Sequence, residues 1–114
     1  MENNTKIKSF ADLQVWQEAH NLVLLAYQVT KKFPKEELFS LTNQIRRAAV
    51  SITSNIAEGF TRQSYKEKQQ FYYMSLGSLA ELQNQILIVK DLGYINQTEF
   101  NKIAENKRLV CTNC

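Results

Sequence analysis

Proline and glycine are scarce. One Pro and three Gly in 114 residues leave few places for the chain to break. That favours long helices over many short strands. Histidine occurs once, as His20. One imidazole cannot form a two-histidine metal triad, and neither a Gly-rich phosphate loop nor a Ser, His and acid setting accompanies it. Carboxylates such as Glu58, Glu67 and Glu81 fall in helical stretches, but the Glu-x-x-His pair of di-iron bundles is missing. No catalytic residue and no cofactor is therefore expected, and the chain reads as a non-enzyme. The two cysteines, Cys111 and Cys114, stand at the very end. Cys-x-x-Cys is half of a structural zinc site, which needs about four ligands. No second pair exists, so these cysteines read as part of a frayed tail in a reducing cell, and no metal site is expected. No apolar run approaches the roughly 20 residues of a membrane span, and Met1-Glu2-Asn3-Asn4 does not resemble a signal peptide. The expected setting is cytoplasmic, without a membrane partner. A net charge of +3 permits nucleic-acid contact without demanding it.

What is present is helical periodicity. A chain of this length buries roughly two-thirds of its unfolded surface and needs no staple. Four helices are expected, near residues 12–32, 41–59, 64–92 and 97–110. Lys31 and Lys32 suit a helix C-terminus, and Pro34 closes the first helix. Asp12 caps that helix or sits in its first turn, and Ser40 is the expected N-cap of the second. Ser64-Tyr65-Lys66-Glu67 reads as a capping box, and Asn96-Gln97-Thr98-Glu99 as a weaker one. Gly59 and Gly93 stand where helices would take a C-cap. Short connections imply an all-α, up-down-up-down four-helix bundle over residues 10–110. A flexible segment, 1–9, precedes it and a tail, 111–114, follows.

Leu41, Ile45, Ala48, Ala49, Ile52 and Ile56 form the core stripe of the second helix. Its alanines admit a close neighbour. Phe71, Ser75, Ser78, Leu82, Ile86 and Val89 are the core stripe of the third. In the first helix, Leu13, Trp16, Ala19, Val23, Ala26 and Tyr27 share a face. Val15, Leu22, Leu25, Val29 and Phe33 widen its apolar arc to about 220°, more than one core can hide. His20 falls within that arc and reads as a buried or half-buried packing residue. The third helix carries a second stripe of Tyr73, Leu76, Ala80 and Leu87. This excess apolar surface predicts burial against further copies of the chain, with Leu22, Leu25, Val29, Tyr73, Leu76 and Leu87 as candidate interface residues.

A polar stripe of Gln44, Arg47, Ser51, Asn55 and Glu58 flanks the core of the second helix. The expectation is a structural hydrogen-bond network, with Arg47 assigned to it because it shares a flank with Asn55 and Glu58. Arg46, on the opposite flank, and Arg62, near a turn, are expected to face solvent and a ligand. With Lys66 and Lys68 they are the candidate nucleic-acid-binding residues, and Tyr65, Tyr72 and Tyr73 are interleaved aromatics able to stack on bases.

Phe10-Ala11-Asp12-Leu13-Gln14-Val15-Trp16-Gln17, Lys32-Phe33-Pro34, Leu41-Thr42-Asn43-Gln44-Ile45-Arg46-Arg47-Ala48-Ala49-Val50-Ser51-Ile52, Ser54-Asn55-Ile56-Ala57-Glu58-Gly59 and Gly77-Ser78-Leu79-Ala80-Glu81-Leu82 carry a resemblance. Together they resemble the bacterial four-helix-bundle proteins first noted in intervening sequences of 23S ribosomal RNA genes, over about residues 10–95. One departure is Thr53, where that family commonly has proline. The resemblance implies a homopentamer. It extends to the accessory protein of diversity-generating retroelements, a pentameric barrel that binds nucleic acid and partners a reverse transcriptase. The expected function is thus a non-enzymatic homo-oligomeric module that binds RNA or DNA, with a reverse transcriptase as the partner the analogy suggests. The alternative is a structural or protein-interaction scaffold with no nucleic-acid role.

Overall fold

A computed structural model describes residues 7–105. Among them the structure is all-helical, with helices α1 (Gln14–Thr30), α2 (Asn43–Thr61), α3 (Tyr65–Asp91) and α4 (Gln97–Ala104). Residues 1–6 of the expected N-terminal segment, the last turns expected for the fourth helix and the tail with both cysteines lie outside the described residues. No described helix is long and apolar enough to cross a membrane.

The central element is α2, with α1 packed on one side and α3 on the other; α4 packs against α3 and α1. Ile45, Ala48, Ala49, Ile52 and Ile56 of α2 are all buried. They meet Ser75, Leu79, Leu82, Ile86 and Val89 of α3 and Ala19, Leu22, Ala26 and Val29 of α1 in one core. Small residues on both α1 and α2 let the backbones approach and keep the packing dense.

Several boundaries differ from the expected ones for local reasons. A single 3₁₀ turn, Phe10–Asp12, precedes α1. Ser9 caps it, and the Asp12 carboxylate accepts from the backbone N–H groups of Lys8 and Ser9. These bonds hold the Asp12 carboxyl below its ordinary pKa. Leu13 then leaves the helical region (φ −75°, ψ 132°), so α1 begins at Gln14, beyond the reach of an Asp12 cap. Nor does Ser40 cap α2. It departs from helical backbone (φ −126°, ψ −108°) inside a wide turn over Leu38–Thr42, and its carbonyl accepts the Asn43 N–H.

The two glycines expected as caps do different work. Gly93 has φ 84° and closes α3, with its N–H on the Lys90 carbonyl and the Tyr94 N–H on the Val89 carbonyl. That is the paired bonding of a left-handed glycine cap. Gly59 is not a cap: α2 runs through it to Thr61. A Cβ at Gly59 would lie 3.0 Å from the Phe71 Cβ, so this glycine is the point where α3 crosses close over α2.

Ser64 Oγ accepts the Glu67 N–H at 3.1 Å and caps α3. At α4 the box is reciprocal, with Asn96 Oδ1 accepting from Glu99 N at 2.8 Å and Glu99 Oε1 accepting from Asn96 N at 3.0 Å. Glu99 also pairs with Lys32, joining α4 to the end of α1. The Lys32 ammonium first, and the Asn96 N–H second, hold the Glu99 carboxyl below its ordinary pKa. A carboxyl shifted down in the folded state contributes stability above its unfolded pKa of about 4.3 and loses it as pH falls through the lower folded value. Acid titration followed by circular dichroism should therefore show Glu99→Gln less stable than wild type at neutral pH, and the two converging as the pH drops below about 4.

Candidate functional site

The polar stripe of α2 divides into three parts. Ser51 and Asn55 form the first. Asn55 Nδ2 donates to the Ser51 carbonyl at 2.8 Å and to Ser51 Oγ at 3.1 Å, and Ser51 Oγ lies 2.8 Å from Ser78 Oγ on α3. One turn back along α3, Ser75 Oγ donates to the Ile52 carbonyl at 2.9 Å inside the core. These small residues stitch α2 to α3 and pin their register. Ser75 and Ser78, expected in the core stripe of the third helix, face α2 through these bonds.

Glu58 forms the second part, apart from Asn55. It pairs with Arg62 at 3.3 Å, one turn on, while Arg62 stacks on the Phe71 ring at 4.6 Å. The Nε of Arg62 is buried without a partner. Arg62, expected to be open to a ligand, is thus largely spent on the α2–α3 corner. Lys68 is spent there too. Its ammonium donates to the Phe60 carbonyl at 3.0 Å and more weakly to that of Gly59, neutralising the C-terminal end of α2. Lys66 is exposed and makes no hydrogen bond or ion pair among the described residues.

The two adjacent arginines form the third part, and their expected roles are exchanged. Arg46 is the structural one: its Nε donates to Thr30 Oγ1 at 2.8 Å and its guanidinium lies 4.6 Å from the centre of the Tyr27 ring. Thr30 is buried and in turn donates to the carbonyls of Ala26 and Tyr27. Arg46 therefore locks the flank of α2 to the last turn of α1. Arg47 is exposed, as is Gln44, and neither joins the Ser51–Asn55 network. Consecutive residues point about 100° apart on a helix, so one flank of α2 faces α1 and the next faces water. Arg46 and Arg47 line a shallow depression together with Tyr27, Asn43, Val50 and Ser51.

The candidate interface residues also separate. Leu22 (0% exposed) and Val29 (4%) lie inside the monomer core and are unavailable to another copy. The arc of α1 was centred too far toward Trp16, Val23 and Tyr27; the core line is Ala19, Leu22, Ala26 and Val29. His20 is exposed rather than buried, stacked on Trp16 at 4.7 Å. Leu25 and Leu76 are half-buried, whereas Tyr73 (58%) and Leu87 (50%) stand in solvent. Periodicity missed Leu24, Met74 and Ile88, which are exposed as well. From Gln69 to Val89 the chain carries one charge, Glu81. Gln85 is buried on α3 with its Nε2 on Glu81 and its Oε1 unsatisfied.

Among the described residues no three His, Cys, Asp or Glu side chains come together as a metal cluster. The arrangement is that of a small helical-bundle protein with a hydrogen-bonded α2–α3 seam, a basic depression on α2 and an uncharged outer face on α3. The chain belongs to the 23S rRNA-intervening sequence protein family, whose model matches residues 11–111. No curated protein matches it.

Proposed function

We propose that this protein is a non-enzymatic module that assembles with copies of itself and binds nucleic acid. In that reading each chain is an up-down-up-down four-helix bundle, and the assembly is the pentamer that the family resemblance implies. One observation carries the self-association: the outer face of α3. Tyr73, Gly77, Ala80, Asn84 and Leu87 are all exposed and follow one another at steps of four, three, four and three. That is the seam spacing of packed helices. Gly77 and Ala80 would let a second helix approach closely. Asn84 would set the register, as a single polar seam residue does in coiled coils. An uncharged face of about 21 Å suits a partner of the same chemistry.

The nucleic-acid part is supported by the exposed Arg47 and Lys66 and by the net charge of +3. The scaffold reading without nucleic acid is favoured by a different observation, the engagement of Arg62 and Lys68 within the monomer. Light scattering combined with RNA binding separates these. The expected mass is five times the 13.2 kDa chain. Binding to single-stranded RNA is expected to weaken steeply with added salt, as phosphate contacts release counterions. A monomer at about 10 µM overturns the assembly, since a specific interface of standard size holds well below that concentration. An assembled protein that ignores RNA at low salt leaves the scaffold reading.

A further inference from the structure

We infer that the depression around Arg46 and Arg47 is a preformed seat for one phosphate group of a nucleic-acid backbone; this rests on the nucleic-acid reading above and gives it a location. The argument begins with rigidity. A free arginine side chain loses rotamer entropy when it binds, and much of its gain is lost with it. Arg46 has already met that cost. Thr30 holds its Nε at 2.8 Å, the Tyr27 ring lies 4.6 Å beneath its guanidinium, and Thr30 is itself anchored to two α1 carbonyls. The bond uses only Nε. The two terminal nitrogens have no partner among the described residues, and they are the edge that grips phosphate oxygens in a bidentate pair.

Charge is the second strand. The lining consists of Tyr27, Asn43, Arg46, Arg47, Val50 and Ser51, with two positive charges and no carboxylate. The α2–α3 corner differs, because there Glu58 already answers Arg62. Arg47 adds a second guanidinium on a mobile stem, and the Asn43 amide supplies a neutral donor. A single fixed fork, a mobile cation and an amide suit a phosphodiester, which carries one charge and two free oxygens. A contact to phosphate oxygens carries no sequence information, so recognition by this seat is blind to sequence.

The test uses the full chain and a fluorescein-labelled single-stranded RNA, with binding followed by anisotropy across a sodium chloride series. Arg47→Gln is expected to weaken binding about five- to tenfold at low salt and to reduce the log–log salt slope by roughly one per occupied seat. Arg46→Lys keeps the charge but loses the fork and the ring stack, so it is expected to weaken binding as well. Lys102→Gln removes the same charge from exposed α4 and is the control. If wild type binds and Arg47→Gln falls no further than Lys102→Gln, the seat is overturned while the nucleic-acid reading stands. If wild type binds no RNA at low salt, that reading fails, and the seat is judged by titrating inorganic phosphate against the Arg46 Nε–H resonance. A saturable shift that Arg47→Gln weakens keeps the seat as an anion site; no shift overturns it.

Discussion

Gly59→Leu is expected to lower stability by about 1–3 kcal/mol through overpacking, or roughly 5–20 °C in Tm for a domain of this size. The cause is the crossing of α2 and α3. Already the first added carbon would sit 3.0 Å from the Phe71 Cβ and 3.5 Å from the Lys68 carbonyl oxygen. Neither atom is the end of a flexible side chain; both ride on the α3 backbone. Relief therefore requires α3 to move away from α2. That movement would disturb the Ser51–Ser78 and Ser75–Ile52 bonds and the Arg62 stack on Phe71. Any gain in helix propensity, at most about 1 kcal/mol, is smaller than this loss. Thermal melting by circular dichroism checks it, and a variant that melts with wild type would show that the crossing is slack.

Gly59 also shows where sequence reasoning reached and where it stopped. Glycine after a helical run reads as a cap, and at Gly93 that was right because the backbone there takes φ 84°. At Gly59 the same residue type serves close approach, which depends on a helix contributed from elsewhere in the chain. The core stripe of α2 was legible because its apolar residues repeat at one period on one face. On α3 the stripe was legible in part: Ser75, Leu82, Ile86 and Val89 are buried as expected, while Phe71 and Ser78 are half-buried and the buried Leu79 and Gln85 were missed, because apolar residues occur on more than one side of that helix. On α1 the inner face was not legible. Its polar side, Gln14, Gln17, Glu18, Asn21 and Gln28, is narrow, so it does not say which part of the wide apolar arc faces inward. Leu22 and Val29 went to the wrong side for that reason.

The exchange between Arg46 and Arg47 has a related cause. A helical wheel locates both arginines beside the core stripe, one on each flank. It does not say which flank meets the neighbour that can hold an arginine. That depends on α1, whose last turn brings Tyr27 and Thr30 to the Arg46 side. An aromatic and a hydroxyl three residues apart near a helix end are the signal that was present, though it takes the packing to connect them to a residue sixteen positions on. Local capping needed no such knowledge. Ser64 and Asn96 were found from four-residue patterns because their bonds close within one turn.

Gly77→Leu is expected to do the reverse of the same change at Gly59: to leave the chain folded and dismantle its assembly. A Cβ at Gly77 meets nothing within 4 Å. The position lies mid-helix in α3 and is exposed, so leucine is favoured over glycine there by somewhat less than the roughly 0.8–1 kcal/mol that separates glycine from alanine in helix propensity. Within one chain the substitution is thus neutral or stabilising. In a seam of Tyr73, Gly77, Ala80, Asn84 and Leu87 it would instead push the partner helix away from the point of closest approach. Leu87→Glu probes the same seam by another route, since a carboxylate buried between copies would be desolvated without a counter-charge. Light scattering should give the 13.2 kDa monomer for both variants, with helical circular dichroism retained. Their folded monomers should differ in one respect: Gly77→Leu should melt at or above the temperature of Leu87→Glu, because only the first improves helix propensity. If both variants keep the wild-type mass, the outer face of α3 is not the interface, whatever the assembly's size. If Gly77→Leu loses its helix content along with its mass, the monomer depends on its neighbours for folding. The seam would then belong to the core of an obligate assembly, and not to the surface of an independent bundle.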